Sequence, residues 1–171
     1  MDTIDIILNE GALTNFKIIQ ICRDLNINLD GVIMNNQFTN KMLDYDFSII
    51  INFENYNRSG SHWVAMYNDT KNKTVYYNDS YGERPTARIE NIINKKGYSF
   101  YFNNTQFQAI ESQLCGFFSI YFLYMMQKNK NKIQGMNKYL SKFTSKVSDY
   151  NENDKRVRKL LLPIAKKNIK Y

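Results

Sequence analysis

The chain reads as an α+β protein, and three observations carry that reading. Apolar residues recur at helical spacing over 13–25. The run Phe47-Ser48-Ile49-Ile50-Ile51-Asn52-Phe53 has the length and β-branched content of a central strand. The stretch 114–126 is apolar throughout and is about 13 residues long, where a membrane span needs about 20, so it predicts a buried core helix.

Taken in order, Thr14 or Asn15 caps the first helix, which closes before Asn26. After strand 47–53 the polar run 55–60 predicts a turn, and 62–67 and 74–77 predict two strands joined by the hairpin loop 68–73. Pro85 suits the first turn of a helix with Ile89, Ile92 and Ile93 on one side, ended by Gly97. Residues 98–102 predict a further strand and 115–127 the apolar helix. From Asp154 to Leu162 a basic helix begins, which Pro163 interrupts or ends. Runs of strands and helices in this order, rather than a regular βαβ alternation, set the α+β class.

With 171 residues and 43% hydrophobic content the chain has the size of one domain, with a core over about 32–126 and a basic helical part over 127–171. The start, Met1-Asp2-Thr3-Ile4-Asp5, lacks the basic and apolar regions of a secretory signal, which sets the expectation of a monomer used inside a cell or particle, away from membranes. Two cysteines cannot build a disulfide framework. Cys22, on the apolar pattern of the first helix, reads as a buried structural thiol. The net charge of +7 is uneven: residues 1–126 carry 10 basic and 13 acidic side chains, and 127–171 carry 13 basic and 3 acidic. A basic block of this kind is a solvated face or a contact for a polyanion such as nucleic acid, although a chain rich in Asn, Lys, Ile and Tyr also fits an AT-rich coding sequence.

His62, the only histidine, precedes Asp79 by 17 residues and Cys115 by 53. A thiol needs a base to become a thiolate near neutral pH, and the base needs a third group to hold its tautomer. Cys115 falls where a loop passes into the apolar helix, so the positive end of the helix dipole would favour a thiolate there, and Gly116 would let a substrate backbone come close. Adjacent antiparallel strands place the start of the first, His62, beside the end of the second, Asp79, with Asn78 the weaker alternative. Oxyanion donors are also needed, and composition alone does not choose among Gln106, Gln108 and Gln113.

Gly60-Ser61-His62-Trp63-Val64-Ala65, then Tyr77-Asn78-Asp79-Ser80-Tyr81-Gly82, then Gln108 with Ser112, Cys115 and Gly116, resemble adenain, the adenovirus maturation protease, and its relatives in polinton-type elements and virophages. The wider clan includes the SUMO-specific proteases. The resemblance covers roughly residues 32–126. It implies a papain-like or adenain-like cysteine protease fold, with a central mixed or antiparallel sheet flanked by helices and the nucleophile at the start of a buried helix. It makes Cys115 the nucleophile, His62 the general base and then acid, Asp79 the orienting carboxylate and Gln108 an oxyanion donor beside the Cys115 N–H. Adenain has Glu at the third position, where Asp79 matches the polinton-like and SUMO-protease pattern. Trp63 is either a wall of the substrate channel or a core aromatic.

The implied function is a cysteine endopeptidase that cleaves viral capsid or core precursors, around Gly-Gly or Gly-X-Gly sites, in the virion and the host-cell interior. No metal or other cofactor is required on this reading. DNA is a candidate activator through the basic tail, whereas no cysteine occupies the position through which adenain receives its activating peptide. The rivals are a deubiquitinase or deSUMOylase of the same clan, and a non-enzymatic DNA-binding capsid protein.

Overall fold

The computed structural model describes residues 1–54 and 61–169. The expected turn at 55–60, including Gly60 of the His-Trp motif, lies outside the described residues. Five strands form one mixed sheet in which spatial order follows chain order: β1 Gly31–Met34, β2 Phe47–Glu54, β3 Ser61–Asp69, β4 Thr74–Asn78 and β5 Ser99–Phe102. The three central strands are antiparallel neighbours, and each edge strand runs parallel to the one beside it. The helices are α1 Thr3–Asn9, α2 Asn15–Asp24, α3 Ala87–Lys95, α4 Cys115–Lys128, α5 Lys132–Leu140 and α6 Tyr150–Asn168.

Alternation along the strands explains why β2 reads as an unbroken apolar run. Successive side chains point to opposite faces, and here both faces are covered. Ile50, Trp63, Ala65 and Tyr76 join the larger core with residues of α1, α2, α4, α5 and α6. Ile49, Ile51, Val64, Met66, Val75 and Tyr77 join a smaller one with Phe38, Leu43 and the α3 residues Ile89 and Ile93. The helix α4 is apolar on nearly all sides because it is buried on nearly all sides, by β3 and by neighbouring helices.

Several boundaries differ from the sequence expectation, each for a local reason. The strand β3 continues to Asp69, which pairs with Thr74, so only 70–73 remain for the hairpin turn; Lys73 there has φ +47°. Pro85 lies before the cap of α3 and not in its first turn, because the Thr86 hydroxyl accepts the Ile89 N–H at 3.4 Å and makes Thr86 the cap. The last helix begins at Tyr150 and passes through Pro163. A proline in a helix interior lacks one hydrogen bond, but Val157 and Leu161 before it and Ala165 after it are all buried in one core, which keeps both halves aligned. The helix α1 and strand β1 were not expected; α1 is capped by the Asp2 carboxylate on the Asp5 N–H and held by buried Ile6 and Ile7. Cys22 is buried as expected, and burial pushes its thiol up to about 12, well out of the range of thiolate chemistry at neutral pH.

Among the described residues two glycines adopt left-handed backbone, and their surroundings differ. Gly97, at φ +77°, ends α3 with open space where a Cβ would stand, whereas at Gly82, φ +68°, a Cβ would lie 2.5 Å from the Thr105 carbonyl carbon. Gly97→Ala is expected to cost only the left-handed penalty, about 1 kcal/mol, and Gly82→Ala distinctly more, because backbone rather than a flexible side chain must move. Urea midpoints of the two variants measure the difference, and equal losses would contradict it.

Candidate active site

The antiparallel pairing of β3 and β4 runs from Asp69↔Thr74 to Ala65↔Asn78, so Asp79 leaves the end of β4 alongside the start of β3. His62 and Asp79 meet there, with Nε2 to Oδ1 at 2.9 Å and both side chains almost fully buried. The same carboxylate oxygen accepts the Tyr81 N–H at 2.8 Å. With Nε2 taken by Asp79, Nδ1 is the ring atom left for proton exchange, and Cys115 lies near enough to this imidazole to act on its protonation. Cys115 is the first residue of α4. Three residues spread over more than 50 positions of sequence therefore converge at one point.

The electrostatics follow from that geometry. Burial by itself would lower the His62 pKa, but hydrogen bonds to Asp79 and Cys115, and the charges of both, outweigh it and push the imidazole up to about 9. The ring is therefore cationic at neutral pH and stands beside a cysteine at a helix start.

A second set of contacts holds the loop that leads to Cys115. The turn Asp79-Ser80-Tyr81-Gly82 is closed by the Gly82 N–H on the Asp79 carbonyl at 2.8 Å, and the Ser80 carbonyl accepts both the Phe107 and Gln108 N–H groups at 3.1 Å. Gln108 is fully buried. Its Oε1 accepts from the Ser80 hydroxyl, and its Nε2 donates to the Ser112 carbonyl at 3.0 Å and the Ser112 hydroxyl at 3.2 Å. Of the other two glutamines, Gln106 donates to the Gln108 carbonyl at 2.9 Å and Gln113 is exposed. The buried Asn78 side chain makes no hydrogen bond to His62, whose Nε2 is held by Asp79. Trp63 is buried in the larger core with its indole N–H on the Leu13 carbonyl at 2.9 Å. The space that the missing side chain of Gly116 leaves is filled by Leu13, whose atoms lie 3.0–3.3 Å from an added Cβ; the sequence reading had given that space to a substrate backbone.

Three positioning side chains escaped the sequence reading. Asn103 is buried; it accepts the Asp79 N–H at 3.0 Å and donates to the Asp79 carbonyl at 2.6 Å, so one amide grips both backbone polar groups of that residue. Nothing in the pair Asn103-Asn104 signals this. Tyr81 lays its ring 4.8 Å from the imidazole and donates its hydroxyl to the Ser112 carbonyl at 2.9 Å. Ser80 and Tyr81 stand in the quoted motif, but only position in space reveals their partners.

No family model matches the chain. A putative thiol protease of Acanthamoeba polyphaga mimivirus is 32% identical over 151 residues, which cover 74% of this chain and 47% of the relative. The chain thus spans about half the length of the curated relative it matches. The crystal structure of the ASFV pS273R protease superposes with a TM-score of 0.59 at 17% identity, covering 89% of this chain and 68% of that one. This is a cysteine-protease fold. The expected α+β class and the mixed sheet flanked by helices hold in it. The yeast SUMO protease domain Ulp1, solved in complex with Smt3, aligns over 95% of this chain and 82% of its own at a TM-score of 0.46 and 14% identity.

Two outcomes test the site's construction. The single histidine gives a single ring resonance, whose NMR titration is expected to have its midpoint near pH 9. A folded-state pKa above the unfolded value of about 6.5 contributes stability in full below about pH 6.5, and that contribution is lost as the pH rises through about 9. A midpoint near 6.5, or stability flat across that window, would contradict the buried pairing. Replacing Asn103 by Ala strands the buried Asp79 N–H and leaves the Asp79 carbonyl with the Gly82 N–H alone, and unfolding measurements should register a loss of roughly 1–3 kcal/mol.

Proposed function

We propose that this chain is a cysteine endopeptidase in which Cys115 is the nucleophile, His62 the general base and acid, Asp79 the orienting carboxylate and Gln108 an oxyanion donor. The observation that carries the proposal is the meeting of Cys115, at a helix start, with a histidine that is held by a buried aspartate. The thiol-protease relative and the protease fold support it from outside the site.

In the proposed reaction the Cys115 sulfur adds to the carbonyl carbon of the scissile peptide. A C–S bond forms and the carbonyl electron pair moves onto oxygen, where the Cys115 N–H donates to it, joined by the Gln108 amide once one of its two Nε2 hydrogens leaves Ser112. The His62 imidazolium protonates the departing nitrogen as the C–N bond breaks, leaving a thioester and a neutral ring. That ring then takes a proton from water, whose oxygen attacks the thioester, and the carboxylic acid leaves as the sulfur is released. Asp79 remains ionised throughout and holds Nε2–H, so that Nδ1 faces the thiol.

The proposed substrates are viral capsid or core precursor proteins, cleaved in the host cell and the maturing virion. A viral thiol protease as the sequence relative supports a viral setting. Among the described residues no helix is long and apolar enough to cross a membrane. DNA is proposed as an activator rather than a substrate: Lys155, Arg156, Lys159, Lys166 and Lys167 lie exposed along α6, a distribution that suits phosphate contacts.

The test is brief iodoacetamide treatment from pH 5 to 9 with mass spectrometry, alongside hydrolysis of a quenched Gly-X-Gly peptide with and without a DNA duplex. Cys115 is expected to alkylate selectively below the ordinary thiol range near 8.5, and His62→Ala to abolish that selectivity. Cys115→Ala should lower hydrolysis by at least about 10³-fold. If Cys115 reacts no faster than Cys22 and no peptide is cut even with DNA, the protein is not a protease.

A further inference from the structure

We infer that Leu13, in the loop between α1 and α2, is a positioning residue that sets the spacing between the strand carrying His62 and the helix carrying Cys115. The inference rests on the protease reading above and brings into the site a residue that the sequence had counted only as part of a helical pattern.

Leu13 touches each element at the residue next to the reacting one. Its carbonyl accepts the Trp63 indole N–H at 2.9 Å, and Trp63 follows His62 on β3. Its side chain rests on Gly116, which follows Cys115 on α4: the Leu13 Cδ1, Cβ and Cγ atoms stand 3.0, 3.2 and 3.3 Å from the place a Cβ of residue 116 would take. Leu13, Trp63 and Gly116 are all buried. A third contact closes the triangle, because the Ser119 hydroxyl, one turn further along α4, donates to the Trp63 carbonyl at 3.3 Å. The glycine is explained by the same packing. Within a helix it costs conformational entropy, and three carbons of Leu13 occupy the space that any side chain there would need.

The loop can hold this position because both of its ends are fixed. Glu10 donates its N–H to the Ile6 carbonyl at 3.1 Å, accepts from Arg158 of α6 on its own carbonyl, and sets its carboxylate 2.9 Å from the Lys17 ammonium. Arg158 also donates to the Ile7 carbonyl, and its guanidinium lies 5.0 Å from the centre of the Phe117 ring, so one side chain ties α1 to the first turn of α4. At the other end Thr14 caps α2, its hydroxyl accepting the Lys17 N–H at 3.3 Å. The stretch 11–13 alone lies between these anchors, and displacement of Leu13 is opposed from both sides.

The effect of disturbing Leu13 follows from what its two neighbours carry. Activation of the thiol depends on how closely the imidazole approaches the sulfur, and a misplacement of about 1 Å between reacting groups can cost on the order of 10²-fold in rate. Truncating Leu13 opens a cavity beside Gly116 into which the first turn of α4 can relax. A methyl added at Gly116 pushes the same turn away from the loop. Either change moves Cys115 relative to His62 while leaving both side chains in place.

Iodoacetamide alkylation of Cys115 at pH 6 and the NMR titration of the single histidine ring test this in the folded protein, with hydrolysis of the quenched Gly-X-Gly peptide alongside. In Leu13→Ala and in Gly116→Ala the alkylation rate should fall at least about five-fold, the His62 midpoint should drop below that of wild type, and kcat should fall about ten-fold with KM within about two-fold. Trp63→Phe, which removes the indole donor, should slow alkylation in the same way. Leu13→Met conserves volume and should keep wild-type behaviour. The double variant of Leu13→Ala with Gly116→Ala should lose less than the two single losses combined, because the added methyl occupies part of the opened cavity. Ile93→Ala, in the smaller core on the other face of the sheet, should lower stability without moving the alkylation rate or the ring midpoint. Unchanged alkylation and midpoint in folded Gly116→Ala or Leu13→Ala, strictly additive losses in the double variant, or an equal response to Ile93→Ala would overturn the inference. Should Leu13→Ala not fold, Gly116→Ala against Ile93→Ala decides. Failure of the protease reading shows separately, as wild type that cuts no peptide, since the alkylation and titration comparisons need no hydrolysis.

Discussion

A histidine and an aspartate removed together from water impose the tightest constraint in this molecule. Desolvating two ionisable groups costs several kcal/mol for each, and their attraction offsets that cost only when geometry and additional hydrogen bonds are good. Much of the surrounding structure supplies those conditions. The Tyr81 N–H shares the Asp79 oxygen that faces Nε2, Asn103 fixes the Asp79 peptide, and the turn that presents Tyr81 closes through Gly82, where only a residue without a side chain passes the Thr105 backbone. Strand register is part of the same constraint. A slip of one residue between β3 and β4 would turn His62 to the other face of the sheet and leave Asp79 buried and alone.

The thiol is delivered by different physics. The helix α4 is anchored by burial along most of its length, so the position of its first residue is fixed by nine buried side chains that have no part in the chemistry. Leu114, the cap residue, offers no side-chain acceptor to the helix start, and the Ser112 hydroxyl takes the Leu114 N–H instead. The polar end of a rigid apolar helix thereby faces a polar pair that is held by strands, and Cys115 stands beside His62 where the two meet.

What could be read in the sequence follows this division. The α4 and β2 segments were legible because burial on all sides leaves an apolar run, and α3 was legible because Ile89 and Ile93 recur at helical spacing before a left-handed Gly97. His62, Asp79 and Cys115 were legible because few residue types can perform acyl transfer. The helix α1 and strand β1 were not: seven and four residues long, they are stable only through packing against the rest, which short-range pattern does not record. Asn103 and Asn153 were illegible for a related reason, since asparagine is common in this chain and only a distant backbone group distinguishes these two buried side chains from the many that are solvated.

The last helix combines these cases. Val157, Leu161 and Ala165, four residues apart, turn one stripe of α6 into the core, while Lys155, Arg156, Lys159, Lys166 and Lys167 project from the others. The three acidic residues of the segment 127–171 are Asp149, Glu152 and Asp154, gathered where α6 begins. Negative charge there complements the helix dipole, which accounts for half-buried Asp149 at the cap and for exposed Glu152. It does not account for a half-buried carboxylate turned inward at Asp154. The charge of the outer stripe is free to vary with whatever surrounds the protein, because no packing depends on it. The inner stripe and the first turn are not free, because the loop before Cys115 closes on them. The net charge of the tail therefore describes the protein's environment, and the buried Asn153 within it, donating to the Phe107 carbonyl, describes the site.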